Sequence, residues 1–387
     1  MKQSNIALLR LGPFSLVVTR ISSASYSKAP SQIVTSLHLA RLHRARLYLV
    51  RPERPLNRAV FDLRASDVRI LPEIPWLTAR LRRHWGVVLR LGDPHIYSTL
   101  DTSGSIAHRP VAVRFLNRAE RLATQRARAL GITEQSRLVT LHVREGGFKT
   151  SIGQSERGKD DIRNCRIETY YDAIDYLVSL GRTVVRIGDP TMTPIDRPGV
   201  VDLATSPLRD EWVELWCMMR SEFFIASQSG PYSMAIMTNT PVLMVNVVNP
   251  LAAYPHRRND LYVLKHVLDR KTGRALPLSE LLMDEESLHR TGDLDRYAFA
   301  DNSSVELVDA VREMIECLHS WPPATAFQDE YARSIRRIQV SDRSLAKLAR
   351  KGFNRAPFQR EGRIAAFFAE RYMYSTGQAT AHAEQPA

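Results

Sequence analysis

Apolar and polar residues follow two periods along this chain, and the carboxyl-terminal half shows them most clearly. Short apolar runs with a period of about two predict strands, and longer stretches with a period of about 3.6 predict helices. In this half the two kinds of stretch alternate. The predicted strands cover residues 138–144, 183–188, 200–203, 222–226 and 242–248, and the predicted helices between them cover 167–180, 210–219 and 232–238.

The amino-terminal half begins with the same rhythm. Residues 6–21 predict a strand, 31–44 a helix and 45–50 a second strand. Between residues 51 and 111 six prolines interrupt the pattern. A further helix is predicted over 114–130, with Gly131 at its carboxyl end.

Capping residues predict another helix near the carboxyl end of the chain. Asp301-Asn302-Ser303-Ser304 precede a helical pattern at 305–318. A Lys- and Arg-rich stretch at 341–373 also predicts helix.

Strands that alternate with helices of this length predict an α/β fold with a doubly wound parallel sheet. The chain has 387 residues, which favours more than one domain. We predict an amino-terminal Rossmann-like domain at 1–130 and a carboxyl-terminal Rossmann-like domain at 131–330. Carboxyl-terminal helices are predicted at 331–374 and a disordered tail at 375–387.

The positive charge lies in the amino-terminal half. Residues 1–130 hold 22 Lys and Arg against 7 Asp and Glu, a net +15, whereas the rest of the chain holds 32 against 34, a net −2. A basic half indicates an anionic partner, such as an acidic membrane surface, a phosphorylated substrate or nucleic acid. Arg-rich helix faces exposed to water are the alternative interpretation.

Several protein classes lose support from what the sequence lacks. The three cysteines are widely spaced and odd in number, which argues against a disulfide framework and fits a reducing compartment. No run approaches the roughly 18 apolar residues of a membrane span. The motifs of dinucleotide oxidoreductases, P-loop enzymes, serine esterases and zincins are missing. Asp293-Leu294-Asp295 follows no predicted strand, so we expect no metal site there.

Three of the predicted strands end in polar residues. Because ligands of open α/β sheets bind outside the carboxyl ends of the strands, these ends are candidate site positions. They comprise His142, Arg144 and Glu145; Gly188-Asp189-Pro190; and Ser227-Gln228-Ser229-Gly230-Pro231.

Each group has a chemical interpretation and a plainer one. Ser227, Ser229 and Gly230 open a predicted helix, where hydroxyls and backbone N–H groups suit phosphate, although ordinary capping would use the same residues. Arg144 suits a diphosphate, or else an ion pair with Glu145. His142 is a candidate base, or else a hydrogen-bonded structural residue. Loops after strands often carry substrate contacts, and Arg163 and Asn164 lie in one.

Taken together, seven short motifs resemble a bacterial family of glycosyltransferases that is distantly similar to fucosyltransferases with a His-x-Arg motif. The resemblance covers residues 135–250 well and the flanks loosely. The motifs are Leu141-His142-Val143-Arg144-Glu145, Arg163-Asn164, Glu168-Thr169-Tyr170, Arg186-Ile187-Gly188-Asp189-Pro190, Pro207-Leu208, Glu211-Trp212 and Ser227-Gln228-Ser229-Gly230-Pro231.

The resemblance implies a GT-B architecture, in which two Rossmann-like domains face each other across a cleft, and a nucleotide-sugar donor held without a metal or other cofactor. Arg144 would contact the donor diphosphate, and Ser227, Ser229, Gly230, Asp189, Arg163 and Asn164 would contribute donor contacts. A GDP-sugar is favoured over a UDP-sugar.

The mechanism that we expect is an inverting displacement at the anomeric carbon. The candidate bases, in falling order, are Glu145, Asp189 and His142. The acceptor would be a glycan or a lipid-linked diphosphate in surface polysaccharide synthesis, and the protein would be cytoplasmic or peripheral at the inner membrane. A nucleotide-sugar epimerase of the same fold and a basic nucleic-acid-binding protein are the alternatives, and no sequence-specific nucleic-acid partner is expected.

Overall fold

A computed structural model of the chain describes ten stretches and three single residues. The stretches are residues 6–11, 14–21, 28–42, 44–52, 57–64, 68–72, 113–151, 158–248, 257–341 and 362–375, and the single residues are 55, 153 and 250. The predicted disordered tail lies outside the described residues from position 376 onwards.

Fifteen strands occur in the described residues, and they form two principal sheets. The smaller sheet lies in the amino-terminal half and the larger one in the carboxyl-terminal half. The strands are β1 Ile6–Leu11, β2 Phe14–Arg20, β3 Arg46–Arg51, β4 Leu63–Arg64, β5 Val68–Pro72, β6 Arg114–Phe115, β7 Arg137–His142, β8 Arg182–Arg186, β9 Val200–Asp202, β10 Ser221–Ala226, β11 Val242–Val247, β12 Leu261–Leu264, β13 His266–Asp269, β14 Tyr297–Ala300 and β15 Arg363–Ile364.

The helices connect these strands and cover the sheets. Several begin where the sequence predicts a cap: the side chain of Asp210 accepts hydrogen bonds from the backbone N–H groups of Trp212 and Val213, and Ser303 forms a capping box with Glu306. The α-helices are α1 Lys28–Leu42, α2 Asn117–Ala129, α3 Phe148–Ser151, α4 Tyr171–Ser179, α5 Glu211–Arg220, α6 Tyr232–Thr238, α7 Leu278–Leu281, α8 Glu285–Arg290, α9 Ser304–His319, α10 Ala326–Ser341 and α11 Ala366–Tyr372; 3₁₀ turns occupy Ala59–Phe61, Gly158–Arg163 and Ile167–Tyr170.

The amino-terminal sheet has the order β1-β2-β3-β5. Strands β2, β3 and β5 are parallel, and α1 connects β2 to β3 as predicted. The single strand predicted over 6–21 is wrong, because β1 and β2 pair antiparallel as a hairpin. Gly12-Pro13, a turn-forming pair, separates them in the sequence.

The carboxyl-terminal sheet has seven strands in the order β9-β8-β7-β10-β11-β12-β15, and all neighbours are parallel. Counted along the chain from β7, this order is the Rossmann order 3-2-1-4-5-6 with one additional strand. The strand order reverses between β7 and β10. The α/β class and the Rossmann-like carboxyl-terminal sheet are therefore confirmed, and parallel strands in both halves agree with the GT-B prediction.

The helix predicted over 341–373 is wrong at Arg363–Ile364, which form strand β15. Backbone hydrogen bonds join this strand to the β12 region, from Arg363 N to Asp260 O at 3.0 Å and from Ala365 N to Tyr262 O at 2.9 Å. Helix α10 runs across position 330, and residues 342–361 lie outside the described ranges. The domain boundaries themselves stay a prediction.

Contacts join the two halves beside the larger sheet. The indole Nε1 of Trp212 donates to Asp62 at 2.8 Å, and the backbone N–H of Arg58 donates to Glu211 at 2.5 Å. Arg126 forms an ion pair with Asp210. The buried apolar residues form one continuous cluster that includes both halves. Among the described residues, no helix combines the length and apolar character needed to cross a bilayer.

Candidate functional site

The candidate site lies where the carboxyl ends of β7 and β10 meet, at the reversal of strand order. In open α/β sheets this is the position at which a crevice opens for a ligand. The backbone N–H of Ser227 donates to the carbonyl of His142 at 3.1 Å, and the Ser227 hydroxyl accepts from the Arg144 N–H at 2.6 Å. Ser227 therefore fastens the end of β10 to the end of β7.

Arg144 is held from both sides by its backbone. Besides the N–H bonded to Ser227, its carbonyl accepts a hydrogen bond from Cys165 N at 2.8 Å. The residue is only 8% exposed. A guanidinium cannot lose its charge in a protein, so this position places a fixed positive charge at the edge of the sheet.

His142 is buried, with 5% of its surface exposed, and has one hydrogen bond that fixes its tautomer. Its Nδ1 lies 3.1 Å from the carbonyl oxygen of Ile187. Because a carbonyl oxygen only accepts, Nδ1 carries the proton and Nε2 carries a lone pair. Burial, more than the nearby positive charges of Arg186 and Arg144, lowers the pKa of His142 to about 4.

Glu145 is directed toward strand β8 and the loop that follows it. One carboxylate oxygen pairs with Arg186, and the other accepts from the Thr193 N–H at 2.8 Å. Arg186 is fully buried and also donates to Asp202 at 3.2 Å. The side chain predicted first among the candidate bases thus neutralises a buried guanidinium in this structure.

Asp189 follows strand β8 and is 8% exposed. Its Oδ1 accepts hydrogen bonds from both the N–H of Thr191, at 3.0 Å, and the Thr191 hydroxyl. Thr191 also approaches the loop after β7 closely, because a Cβ added to Gly147 would lie 2.6 Å from its hydroxyl oxygen. Gly147 also has φ +111°, a backbone angle that favours glycine independently of this close contact.

The two serines after β10 have different environments. Ser227 is fully buried and joins the two strands, whereas Ser229 and Gly230 are half-buried at the sheet edge. Gln228, between them, accepts from the Val248 N–H at 3.1 Å and so holds the loop after β11. Of these two serines, Ser229 is the one that is partly open to solvent.

Arg163 and Asn164 lie near Arg144, because the next residue in the chain, Cys165, donates its backbone N–H to the Arg144 carbonyl. The carbonyl of Asn164 accepts from Lys265 Nζ at 2.7 Å, while its buried side-chain Oδ1 has no hydrogen-bond partner among the described residues. Lys265 also pairs with Asp301 at 2.6 Å.

The structure therefore brings together most of the side chains predicted from the sequence. His142, Arg144 and Ser227 share one contact network, and Asp189 is close enough to His142 to affect its pKa. Lys265 was not predicted. It directly follows strand β12, and a polar residue immediately after an apolar strand is the signal that also identified His142 and Arg144.

Within the stretches that the structure describes, no group of three or more His, Cys, Asp or Glu side chains is arranged to hold a metal ion. The three cysteines are buried and form no disulfide. Burial raises the pKa of Cys165 to about 12 and that of Cys317 to about 12, so both are protonated thiols at neutral pH.

Comparisons with known proteins give distant similarities only. No family model matches the chain. No curated protein matches it either. Among solved structures, a glycosyl transferase family 9 protein from Veillonella parvula is 11% identical, with 60% of this chain and 81% of that chain covered and a TM-score of 0.40.

Two further solved structures come from Escherichia coli. ADP-heptose LPS heptosyltransferase II is 11% identical, with 59% of this chain and 84% of that chain covered and a TM-score of 0.38. The iron-containing dodecameric glycosyltransferase TibC is 13% identical, with 66% and 62% covered and a TM-score of 0.34. At these identities and TM-scores the family of this chain stays open.

Proposed function

We propose that this protein is a Leloir glycosyltransferase of GT-B type that moves a sugar from a nucleotide-sugar donor to a glycan or lipid-linked acceptor. One observation carries the proposal: Arg144 is buried at the switch point of a Rossmann-ordered parallel sheet, and hydrogen bonds hold both its backbone N–H and its backbone carbonyl. A fixed cation at that position suits the diphosphate of a nucleotide-sugar.

In this proposal Arg144 stabilises the leaving diphosphate electrostatically. Negative charge builds on the diphosphate as the bond from the anomeric carbon to its oxygen breaks, and a preorganised guanidinium lowers the energy of that state. Ser229 and Gly230 add contacts to phosphate from the end of β10, and Arg163 and Asn164 border the donor from the opposite side. Ser227 positions Arg144 rather than touching the donor.

The acceptor hydroxyl attacks the anomeric carbon on the face opposite the leaving diphosphate, and this attack inverts the configuration. The proton of the hydroxyl passes to a base. Asp189 is the base that the geometry favours. Thr191 occupies its Oδ1, so its Oδ2 is the oxygen available to take the proton. Glu145 is paired with Arg186, and His142, with a pKa of about 4, is a weak proton acceptor.

The proposal also names the donor nucleotide, the acceptor and the place in the cell. A GDP-sugar is favoured over a UDP-sugar by the motif resemblance, and the basic amino-terminal half fits a lipid-linked diphosphate acceptor or the anionic inner membrane surface. Surface polysaccharide synthesis is the pathway class that such an acceptor indicates.

A thermal-shift screen of GDP-, UDP-, dTDP-, CMP- and ADP-sugars tests the donor site. We expect at least one donor to stabilise the wild type and to lose most of that effect in Arg144→Ala. Arg137→Ala is the matched control, since Arg137 begins the same strand, at the opposite edge of the sheet, in an exposed ion pair with Glu222. If no nucleotide-sugar stabilises the wild type, the proposed function is wrong.

The two alternatives give different results in simple assays. An epimerase converts its donor when no acceptor is present, whereas the proposed transferase leaves it intact or hydrolyses it slowly. A nucleic-acid-binding protein would retain sequence-preferring duplex binding at physiological salt. Weak binding that disappears steeply with salt would reflect only the net +13 charge.

A further inference from the structure

The side chain of His142 presents a hydrogen-bond acceptor that the protein does not use. Its Nδ1–H donates to Ile187 O, which leaves the lone pair on Nε2. This nitrogen is buried and has no hydrogen-bond partner among the described residues. A buried polar atom without a partner is costly to the folded state, so such an atom at a site indicates a ligand group that completes it.

The missing partner must donate a hydrogen. Phosphate oxygens at neutral pH only accept, so the diphosphate proposed to bind Arg144 cannot satisfy Nε2. A hydroxyl or an amino group can. The amide Oδ1 of Asn164 is a second buried acceptor without a hydrogen-bond partner in the described part of the chain, and Asn164 precedes Cys165, whose N–H donates to the Arg144 carbonyl. These two buried acceptors near Arg144 favour a ligand rich in O–H or N–H groups.

The spacing along the chain favours a sugar hydroxyl over a nucleobase amine. His142 is the last residue of β7 and Arg144 follows it by two residues, so groups of a ligand that bind both side chains must lie close together. The transferred sugar is bonded directly to the diphosphate, whereas the ribose separates the base from it.

We propose that Nε2 of His142 accepts a hydrogen bond from a hydroxyl of the transferred sugar and thereby selects for donors that carry a hydroxyl at that position. This inference rests on the proposed function. It assigns His142 to sugar recognition rather than to proton transfer. It also explains why a histidine held in one neutral tautomer occupies this strand end, because only the unprotonated nitrogen can accept.

Two substitutions of His142 distinguish the role of Nδ1 from that of Nε2. The amide of His142→Asn reaches about as far as Nδ1, so it keeps a donor for Ile187 O and removes the acceptor. The longer His142→Gln places an amide oxygen near the Nε2 position. Calorimetric titrations with GDP and GDP-mannose, UDP and UDP-glucose, and ADP and ADP-glucose then compare each nucleoside diphosphate with its sugar-bearing form, using the pair that binds the wild type most tightly.

We expect His142→Asn to weaken binding of the nucleotide-sugar roughly fivefold to thirtyfold while the nucleoside diphosphate binds as in the wild type, and His142→Gln to recover most of the loss. Equal losses for both members of the pair would assign Nε2 to the nucleotide and overturn the inference. Unchanged binding would overturn it too. If no nucleotide-sugar of the thermal-shift screen binds the wild type, the proposed function is wrong and this inference falls with it.

A measurement on the wild type covers the case in which the variants do not fold. In protein with ¹⁵N-labelled histidine, addition of the nucleotide-sugar should move the Nε2 resonance of His142 from that of a free lone pair toward that of a hydrogen-bonded one. Addition of the nucleoside diphosphate should leave it in place. A resonance that moves equally with both ligands, or with neither, would contradict the proposal.

Discussion

The burial of His142 should make the stability of this protein depend on pH in a defined window. The folded protein lowers the pKa of this imidazole from 6.5 to about 4, mainly by burial. Between these values the unfolded chain binds a proton that the folded chain rejects. The free energy of unfolding should therefore be highest above pH 6.5 and fall as the pH decreases toward 4.

The size of the effect follows from the shift of about 2.5 pH units. Each unit corresponds to about 1.4 kcal/mol, so His142 alone should cost the folded state about 3 kcal/mol between pH 6.5 and 4. Glu306 does not contribute in most of this window. Its folded pKa is about 2, so its stabilising contribution is lost only as the pH falls from about 4.5 toward 2.

Urea unfolding followed by circular dichroism, at several pH values from 7.5 to 4.5, tests this reasoning. The comparison is between the wild type and His142→Gln, which cannot titrate. The wild type should lose about 1.4 kcal/mol per pH unit more than the variant below pH 6.5. Parallel pH dependence in the two proteins would refute the assignment of a buried, neutral imidazole at this position.

Two other substitutions test the supports of the site. Arg186→Met should destabilise the protein by about 3–5 kcal/mol, because it leaves the carboxylates of Glu145 and Asp202 without their buried cation. Urea unfolding measures this change. A loss below about 1 kcal/mol would mean that these ion pairs are not buried as described. Ser227→Ala removes the acceptor for the Arg144 N–H, so it should cost about 1–2 kcal/mol of stability and also weaken nucleotide binding. Calorimetry measures the nucleotide affinity. An affinity equal to that of the wild type would show that this hydrogen bond does not position Arg144.

Local sequence patterns were sufficient for many elements of the fold. The caps Asp210 and Ser303 are side chains that bond to backbone within three residues, so their signal is contained in the sequence itself. The strand end at His142 and Arg144 was found for the same reason. A polar pair directly after an apolar run is a local pattern, and the parallel sheet places it at the ligand edge.

Features that depend on neighbours distant in sequence were not predictable in this way. The pairing of Glu145 with Arg186 requires β7 to lie beside β8, which no local pattern specifies. Strand β15 is two residues long and forms only because the edge of β12 accepts it. In both cases tertiary pairing overrides the local preference.

We propose that Arg144, at the junction of β7 and β10, binds the diphosphate of a nucleotide-sugar. A crystal structure of the wild type with the nucleoside diphosphate that stabilises it most would test this directly. The claim predicts diphosphate density against the guanidinium of Arg144, between the carboxyl ends of the two strands. Density for the same nucleotide at another place on the molecule, with Arg144 making no contact to it, would contradict the claim.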